Sequence, residues 1–140
     1  MRNIKGKVNI IDILFASDKD NELLLGEVVH LNYRVSGIRT YVETTRILPS
    51  MLINEIISNP RKYSLVIVHS SKQTDMFDIV DRCKRLTDTP FILESTSFYS
   101  DSKKYVLQHF DSYTTLINEV EDIENLLYEY NIVLKSDKIK

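Results

Sequence analysis

The sequence predicts an α/β protein with three layers, in which a five-stranded parallel sheet carries helices on both faces. The first observation is the unbroken apolar run Leu65–Val68, which indicates that Ser64–Val68 is a central strand buried on both faces. The second is a pair of similar runs, Val8–Ala16 and Pro90–Leu93, bounded by turn-forming residues. The third is the helical spacing of apolar residues between these runs, which is typical of alternating strands and helices.

Length and composition limit the classes of protein that fit. The chain has 140 residues, 43% of them hydrophobic, which predicts one domain with a core over about residues 8–130 and a tail at 131–140. The net charge of −2 is spread along the chain, so we expect neither a nucleic-acid nor a membrane partner. No apolar run reaches the roughly 20 residues of a membrane span and no signal peptide is recognisable, so we expect a cytoplasmic protein.

The amino-terminal half contains two more predicted elements. Asp20 is a suitable N-cap for a helix that extends through His30. Tyr33–Ile38 is rich in residues that favour strands and is the second predicted strand. The segment 39–48 has three interpretations: it extends that strand, forms a short extra strand, or is irregular.

The middle of the chain alternates in the same way. Pro49 suits the first position of a helix that ends before Asn59. After the central strand, Thr74 or Asp75 can cap a third helix. That helix has an apolar stripe, composed of Met76, Ile79, Val80, Cys83 and Leu86.

The carboxyl-terminal part is predicted to hold the fifth strand and the last helix. The polar stretch Glu94–Lys104 is too short for a long helix, and Tyr105–Gln108 is the predicted strand. The last helix begins near Ser112. The apolar residues Ile132–Leu134 after it either pack on the core, add an edge strand, or form a homodimer interface.

Several residues at predicted strand ends resemble the phosphorylation site of receiver domains, the flavodoxin-like modules of two-component response regulators. The run Ile13–Asp18 is similar to the first strand and acidic pair of that family, with Ser17 at the first acidic position and Asp18 at the second. Tyr63–His69 resembles the strand that ends in the phosphorylated aspartate, which is His69 here. Thr89–Ser95 resembles the strand that ends in a hydroxyl residue, here Ser95.

The resemblance continues into the predicted fifth strand. Tyr105 corresponds to the switch aromatic of the family, Gln108 to its invariant lysine and His109 to its cis-proline. It implies a flavodoxin-like fold whose fourth helix is shortened to Phe98–Lys104. By analogy with receivers, the partner-binding face would be formed by the fourth-helix region, the fifth strand and the last helix, and would carry Phe98, Tyr105, Phe110 and Tyr113.

The departures from the family remove its chemistry. Aspartyl phosphorylation needs a carboxylate nucleophile, several acidic oxygens for Mg²⁺ and a fixed cation beside the phosphoryl oxygens. His69, Ser17 and Gln108 replace these groups and leave Asp18 as the remaining acid. We therefore expect a non-enzymatic signalling or scaffold protein, without cofactor or metal, that binds another protein of a signalling pathway. A homodimer through the last helix is the alternative to core packing of the carboxyl-terminal apolar residues.

Two other functions stay open. His69 is either a hydrogen-bonded structural residue or a histidine that carries a phosphoryl group. A small-ligand sensor would use the hydroxyls of Ser70, Ser71 and Ser95–Ser97, although no glycine follows Gly37 to wrap a phosphate. The single cysteine, Cys83, is expected to be buried and unreactive.

Overall fold

A computed structural model describes residues 1–18, 28–69, 73–95, 100–115, 117 and 119–139, with the backbone alone at 28–30, 73–75 and 100–103. The described strands are β1 (Arg2–Ile4), β2 (Val8–Ser17), β3 (Val28–Val35), β4 (Ile38–Ile47), β5 (Tyr63–His69), β6 (Phe91–Glu94) and β7 (Ser112–Thr114). The described helices are α1 (Leu52–Ser58), which follows a 3₁₀ turn at Pro49–Met51, then α2 (Gln73–Lys84), α3 (Ser100–His109) and α4 (Val120–Glu129). No helix among these residues is long and apolar enough to cross a bilayer.

The strands form one mixed sheet of seven in the order β3-β4-β2-β5-β6-β7, with β1 paired to β2. Neighbours in the series β4-β2-β5-β6-β7 run parallel. The pairs β1–β2 and β3–β4 are antiparallel. The prediction of an α/β protein with a largely parallel sheet is therefore confirmed, whereas the prediction of a purely parallel five-stranded sheet is wrong.

The central strand β5 is buried on both faces, as its sequence predicts. Leu65 and Ile67 belong to the core on one face, while Val66 and Val68 belong to the core on the other. The first core includes Ile123 and Leu127 of α4. The second is completed by buried side chains of the other three helices, namely Leu52, Ile56, Met76, Val80, Cys83 and Val106.

The chain between β2 and α1 differs from its prediction. Residues 28–30 belong to β3 instead of ending a helix, and the rest of that predicted helix, with its proposed cap Asp20, lies largely outside the described residues. The predicted strand Tyr33–Ile38 is interrupted by a turn at Ser36 and Gly37, with φ of 52° and 79°. Positive φ at both central residues is the requirement of a type I′ hairpin turn. The open segment 39–48 is thus mainly strand β4.

The fifth strand and last helix also differ from their predictions. Tyr105–Gln108 lies in helix α3, so the fourth helix is not shortened to Phe98–Lys104, and the fifth parallel strand is β7. The last helix begins at Val120 instead of near Ser112, because the carboxylate of Asp122 accepts a hydrogen bond from the backbone N–H of Glu119 at 3.0 Å and caps it. Thr74 and Asp75 lie inside α2 and are not its cap.

The carboxyl-terminal segment packs along the edge strand β3. Val133 is 2% exposed and belongs to the core, which confirms core packing for this part of the apolar segment. The backbone N–H of Ile139 donates to the carbonyl of Asn32 at 3.2 Å. Nearby, the buried carboxylate of Glu124 accepts hydrogen bonds from the Tyr33 hydroxyl and the Lys138 ammonium, each at 3.0 Å.

Candidate functional site

The carboxyl ends of the parallel strands form the candidate site. Strand β2 ends at Ser17, β5 at His69, β6 at Glu94 and β7 at Thr114. In the register of the sheet Ser17 is paired with His69, and Glu94 with Thr114. Ligands of open α/β sheets bind at this edge, which is why these side chains define the site.

His69 is oriented by the neighbouring strand β6. Its Nδ1 lies 3.2 Å from the backbone carbonyl oxygen of Glu94 and 3.3 Å from the Oε1 atom of the same residue. Both oxygens are acceptors, so Nδ1 carries a proton and donates it. The neutral imidazole then keeps its lone pair on Nε2, and the side chain is 23% exposed. The structure therefore fixes the ring and leaves Nε2 as its basic atom.

Glu94 is the group that the sequence reasoning missed. Its side chain is only 4% exposed, and its two oxygens have different partners. Oε1 faces His69, while Oε2 accepts a hydrogen bond at 2.8 Å from the backbone N–H of Ile117, ahead of α4. A buried carboxylate needs such donors because burial without them is costly. Glu94 thus links the candidate site to the segment that leads into the last helix.

Asp18 lies at the rim of the site. Its Oδ1 atom is 3.9 Å from Nε2 of His69, and its side chain is 36% exposed. The backbone N–H of Asp18 donates to the carbonyl of His69 at 3.3 Å, which holds the two residues together. Ser17 beside it is buried, with 7% of its surface exposed. The predicted neighbours Ser17, Asp18 and His69 are therefore brought together.

Ser95 follows β6 and belongs to the same edge. It is 3% exposed, and its backbone N–H donates to the carbonyl of Thr114 at 3.0 Å. Gln108 does not belong there. It lies in the last turn of α3, which leads into the amino end of β7, so it is at the opposite edge of the sheet. The residue at the carboxyl end of β7 is Thr114, which is neutral.

The four aromatic residues of the predicted partner-binding face differ in exposure. Phe110 is 2% exposed and Tyr113 is partly buried against the same core. Phe98 lies outside the described residues. Tyr105, on α3, is 60% exposed, and Leu107 on that helix is 53% exposed. Among the described residues of α3, the exposed large apolar side chains are the predicted Tyr105 and, in addition, Leu107.

Cys83 and His109 lie outside the candidate site, and each is in contact with other side chains of the protein. Cys83 is fully buried, and burial raises the pKa of its thiol to about 11, as expected for a core cysteine. His109 places Nδ1 2.8 Å from the carboxylate of Asp81 and stacks on Phe77 at 4.7 Å between ring centroids. The described residues contain no cluster of three or more histidine, cysteine or acidic side chains with metal-binding geometry.

Comparison with protein-family models gives no match, and no curated protein sequence matches the chain significantly. We therefore infer the function from the geometry of the site.

That geometry has a limited chemical repertoire. The end of the central strand carries an imidazole and no carboxylate, and the buried acid beside it is occupied by His69 and Ile117. Formation of an aspartyl phosphate at this strand end has no nucleophile. An oriented imidazole can accept a proton or a phosphoryl group at Nε2.

Proposed function

We propose that this protein is a non-enzymatic signalling or scaffold module of receiver-like, flavodoxin-like architecture, which is not phosphorylated on aspartate and acts by binding another protein. The observation that carries the proposal is His69 at the carboxyl end of β5, held by Glu94, at the position that resembles the phosphorylated aspartate of receivers.

The order of the parallel strands supports the architectural part. The series β4-β2-β5-β6-β7 is the second, first, third, fourth and fifth strand of a doubly wound sheet, which is the flavodoxin-like order. Helices α1, α2 and α3 pack on one face of it and α4 on the other. The two remaining strands are additions to that order. Strand β3 pairs with β4 at one edge of the sheet, and β1 pairs antiparallel with β2.

The charges at the strand ends support the chemical part. Phosphoryl transfer to aspartate needs a cation beside the phosphoryl oxygens and clustered acids for Mg²⁺. The strands instead end in Ser17, His69, Glu94 and Thr114. Among the described residues at these strand ends there is no lysine or arginine, and the Glu94 carboxylate is already hydrogen-bonded inside the protein.

The experiment is incubation with acetyl phosphate and Mg²⁺, followed by intact mass spectrometry and hydroxylamine treatment, which cleaves acyl phosphates. We expect no hydroxylamine-sensitive phosphoryl group. The matched control is Asp18→Asn, which removes the remaining receiver-like acid. A phosphoryl group that hydroxylamine removes from the natural sequence and that is absent from Asp18→Asn would contradict the proposal.

Binding to a partner is tested on α3. Tyr105→Ser removes an exposed aromatic from the proposed face, whereas Ile57→Ser removes an apolar side chain of similar exposure, 58%, from α1. We expect a protein captured from the native cell extract to be lost with Tyr105→Ser and kept with Ile57→Ser. Equal capture by the two variants, or no capture by the natural sequence, would contradict this surface.

A second candidate function is a histidine phosphocarrier, which the orientation of His69 specifically favours. Donation from Nδ1 to Glu94 fixes the orientation of the ring and leaves Nε2, on a side chain that is 23% exposed, as the nitrogen that can accept a phosphoryl group. Exposure to phosphoenolpyruvate-linked donors would then add one acid-labile phosphoryl group, and His69→Gln would abolish it. The same mass spectra decide between this function and the first.

The homodimer remains a prediction. Much of the apolar stripe of α4 is used inside the chain, where Ile123, Leu126 and Leu127 are buried, and Leu134 remains 55% exposed. Light scattering at tens of micromolar protein gives the mass directly. The mass of one chain would exclude the dimer.

A further inference from the structure

A pocket at the opposite edge of the sheet, where the parallel strands begin, is lined mainly by polar and charged residues, three of which are basic. It has a volume of about 440 Å³ and lies between the loop before β5 and the loop before β6. Pro60 and Arg61 line one side, and Lys84, Arg85 and the segment 86–89 line the other. Pockets that bind small ligands have volumes of roughly 300–1,000 Å³, so this one is large enough for a ligand.

The two walls are held together by hydroxyl groups. The Thr87 hydroxyl donates to the carbonyl of Pro60 at 2.6 Å, and the Thr89 hydroxyl donates to the carbonyl of Tyr63 at 2.8 Å. These bonds connect the two loops directly. The backbone of the two segments that carry Arg61 and Arg85 is therefore held in place by the fold, and a ligand does not have to bring these segments together.

The pocket has an excess of positive charge. The ammonium of Lys84 is already satisfied by Asp111, at 3.3 Å, and by a backbone carbonyl. Within the described part of the chain, neither Arg61 nor Arg85 makes an ion pair, and Asp88 is the acid among the lining residues. Two guanidinium groups thus line the pocket against one carboxylate, in a protein whose net charge is −2.

We propose that this pocket binds a phosphate monoester between Arg61 and Arg85. One guanidinium already satisfies both oxygens of a carboxylate, whereas the three terminal oxygens of a phosphate monoester can accept from two guanidinium groups at once. A phosphate monoester also carries about two negative charges near neutral pH, which balances the two arginines. The site is separate from His69 and does not depend on the function proposed there.

A competing explanation is that the basic residues around the pocket interact favourably with the negative end of the α2 helix dipole, at the carboxyl terminus of the helix. Helix ends of this kind attract cations, and Arg82 and Lys84 lie in the last turn. Arg82 is exposed and does not line the pocket, so it serves as the matched control. Arg61 belongs to the loop before β5, so attraction to the end of α2 does not explain why it lines the pocket.

The test is calorimetric titration of the full chain with glycerol 3-phosphate and with a short phosphoserine peptide. We expect at least one probe to bind, with an affinity reduced on the order of tenfold or more by Arg61→Gln and by Arg85→Gln, since each removes a hydrogen-bonded charge. Arg82→Gln should leave it unchanged within about twofold. Binding of one probe alone identifies the source of the phosphate, a free metabolite or a phosphorylated side chain.

Three results would overturn the proposal. One is the absence of heat with both probes when circular dichroism shows that the protein is folded. Another is an equal loss of affinity in Arg82→Gln, which indicates general attraction to positive charge. The third is unchanged affinity in both Arg61→Gln and Arg85→Gln. Urea unfolding of each variant shows whether any loss of binding comes from a loss of structure.

Discussion

Removing the Glu94 carboxylate should destabilise the protein through its two hydrogen-bond partners. In Glu94→Ala the backbone N–H of Ile117 loses its acceptor at 2.8 Å, and Ile117 is 1% exposed. A buried donor without a partner costs about 1–3 kcal/mol. Loss of the contact with His69, which water partly replaces, adds about 0.5–1 kcal/mol. We expect the free energy of unfolding to fall by about 1.5–4 kcal/mol in urea titrations followed by circular dichroism.

The matched variant is Glu94→Gln, which keeps an oxygen for Ile117 and removes the negative charge. We expect it to cost about 0.5–1.5 kcal/mol, which is clearly less than the alanine variant. A cost of less than about 0.5 kcal/mol for Glu94→Ala would refute the reasoning, because a surface residue without buried partners has that effect. Equal costs for the two variants would show that the charge, and not the acceptor for Ile117, is the main contribution.

Three further predictions concern groups away from the site. Cys83, whose pKa is raised to about 11 by burial, should not react with a thiol reagent at pH 8 until urea unfolds the protein, and rapid labelling of the folded protein would contradict its burial. Burial and the neighbouring Glu124 raise the pKa of Tyr33 above its ordinary 10.0, so the unfolded chain ionises first and stability falls above about pH 10. Tyr33→Phe should reduce that slope by about 1 kcal/mol per pH unit in urea titrations, and an unchanged slope would contradict it. Arg2→Met should cost about 2–3 kcal/mol in the same assay, because Asp12, which is 1% exposed and 2.6 Å from Arg2, would keep a buried unpaired charge. A cost below about 0.5 kcal/mol would contradict that prediction.

The central strand could be predicted from the sequence because its signal is local. Four consecutive apolar residues before His69 are compatible with a strand covered on both faces, and the structure places them in two separate cores. Similar apolar runs predicted the strands β2 and β6. Pro49 predicted the start of the helical segment after β4, because proline fits the first position of a helix.

The errors arose where a short apolar run fits a helix and a strand equally well. The sequence predicts a strand at Tyr105–Gln108, but the buried residues are Val106 and Phe110, four positions apart, and this is the spacing of a helix. The dipeptide Ser36-Gly37 is typical of a hairpin turn, but the sequence analysis did not use it to predict one. Recognising it would have predicted the pair β3–β4.

The candidate site was predictable in position but not in composition. Ser17, Asp18, His69 and Ser95 follow strands whose order along the chain brings their ends together. Glu94 was missed because a single acid after an apolar run is most often exposed, and nothing local indicates that it faces a histidine on the next strand. Gln108 was misplaced because its position depended on the wrong fifth strand.

The most direct test of the account is the state of the His69 ring, measured by ¹⁵N NMR of the imidazole nitrogens in their neutral form. We expect Nδ1 to carry the proton and Nε2 to be bare, and we expect Glu94→Ala to weaken this preference without reversing it, because the backbone carbonyl of Glu94, 3.2 Å from Nδ1, stays in place. A proton on Nε2 with a bare Nδ1 would mean that neither the carbonyl nor the carboxylate of Glu94 accepts a hydrogen bond from the histidine at the end of the central strand, and would contradict this interpretation.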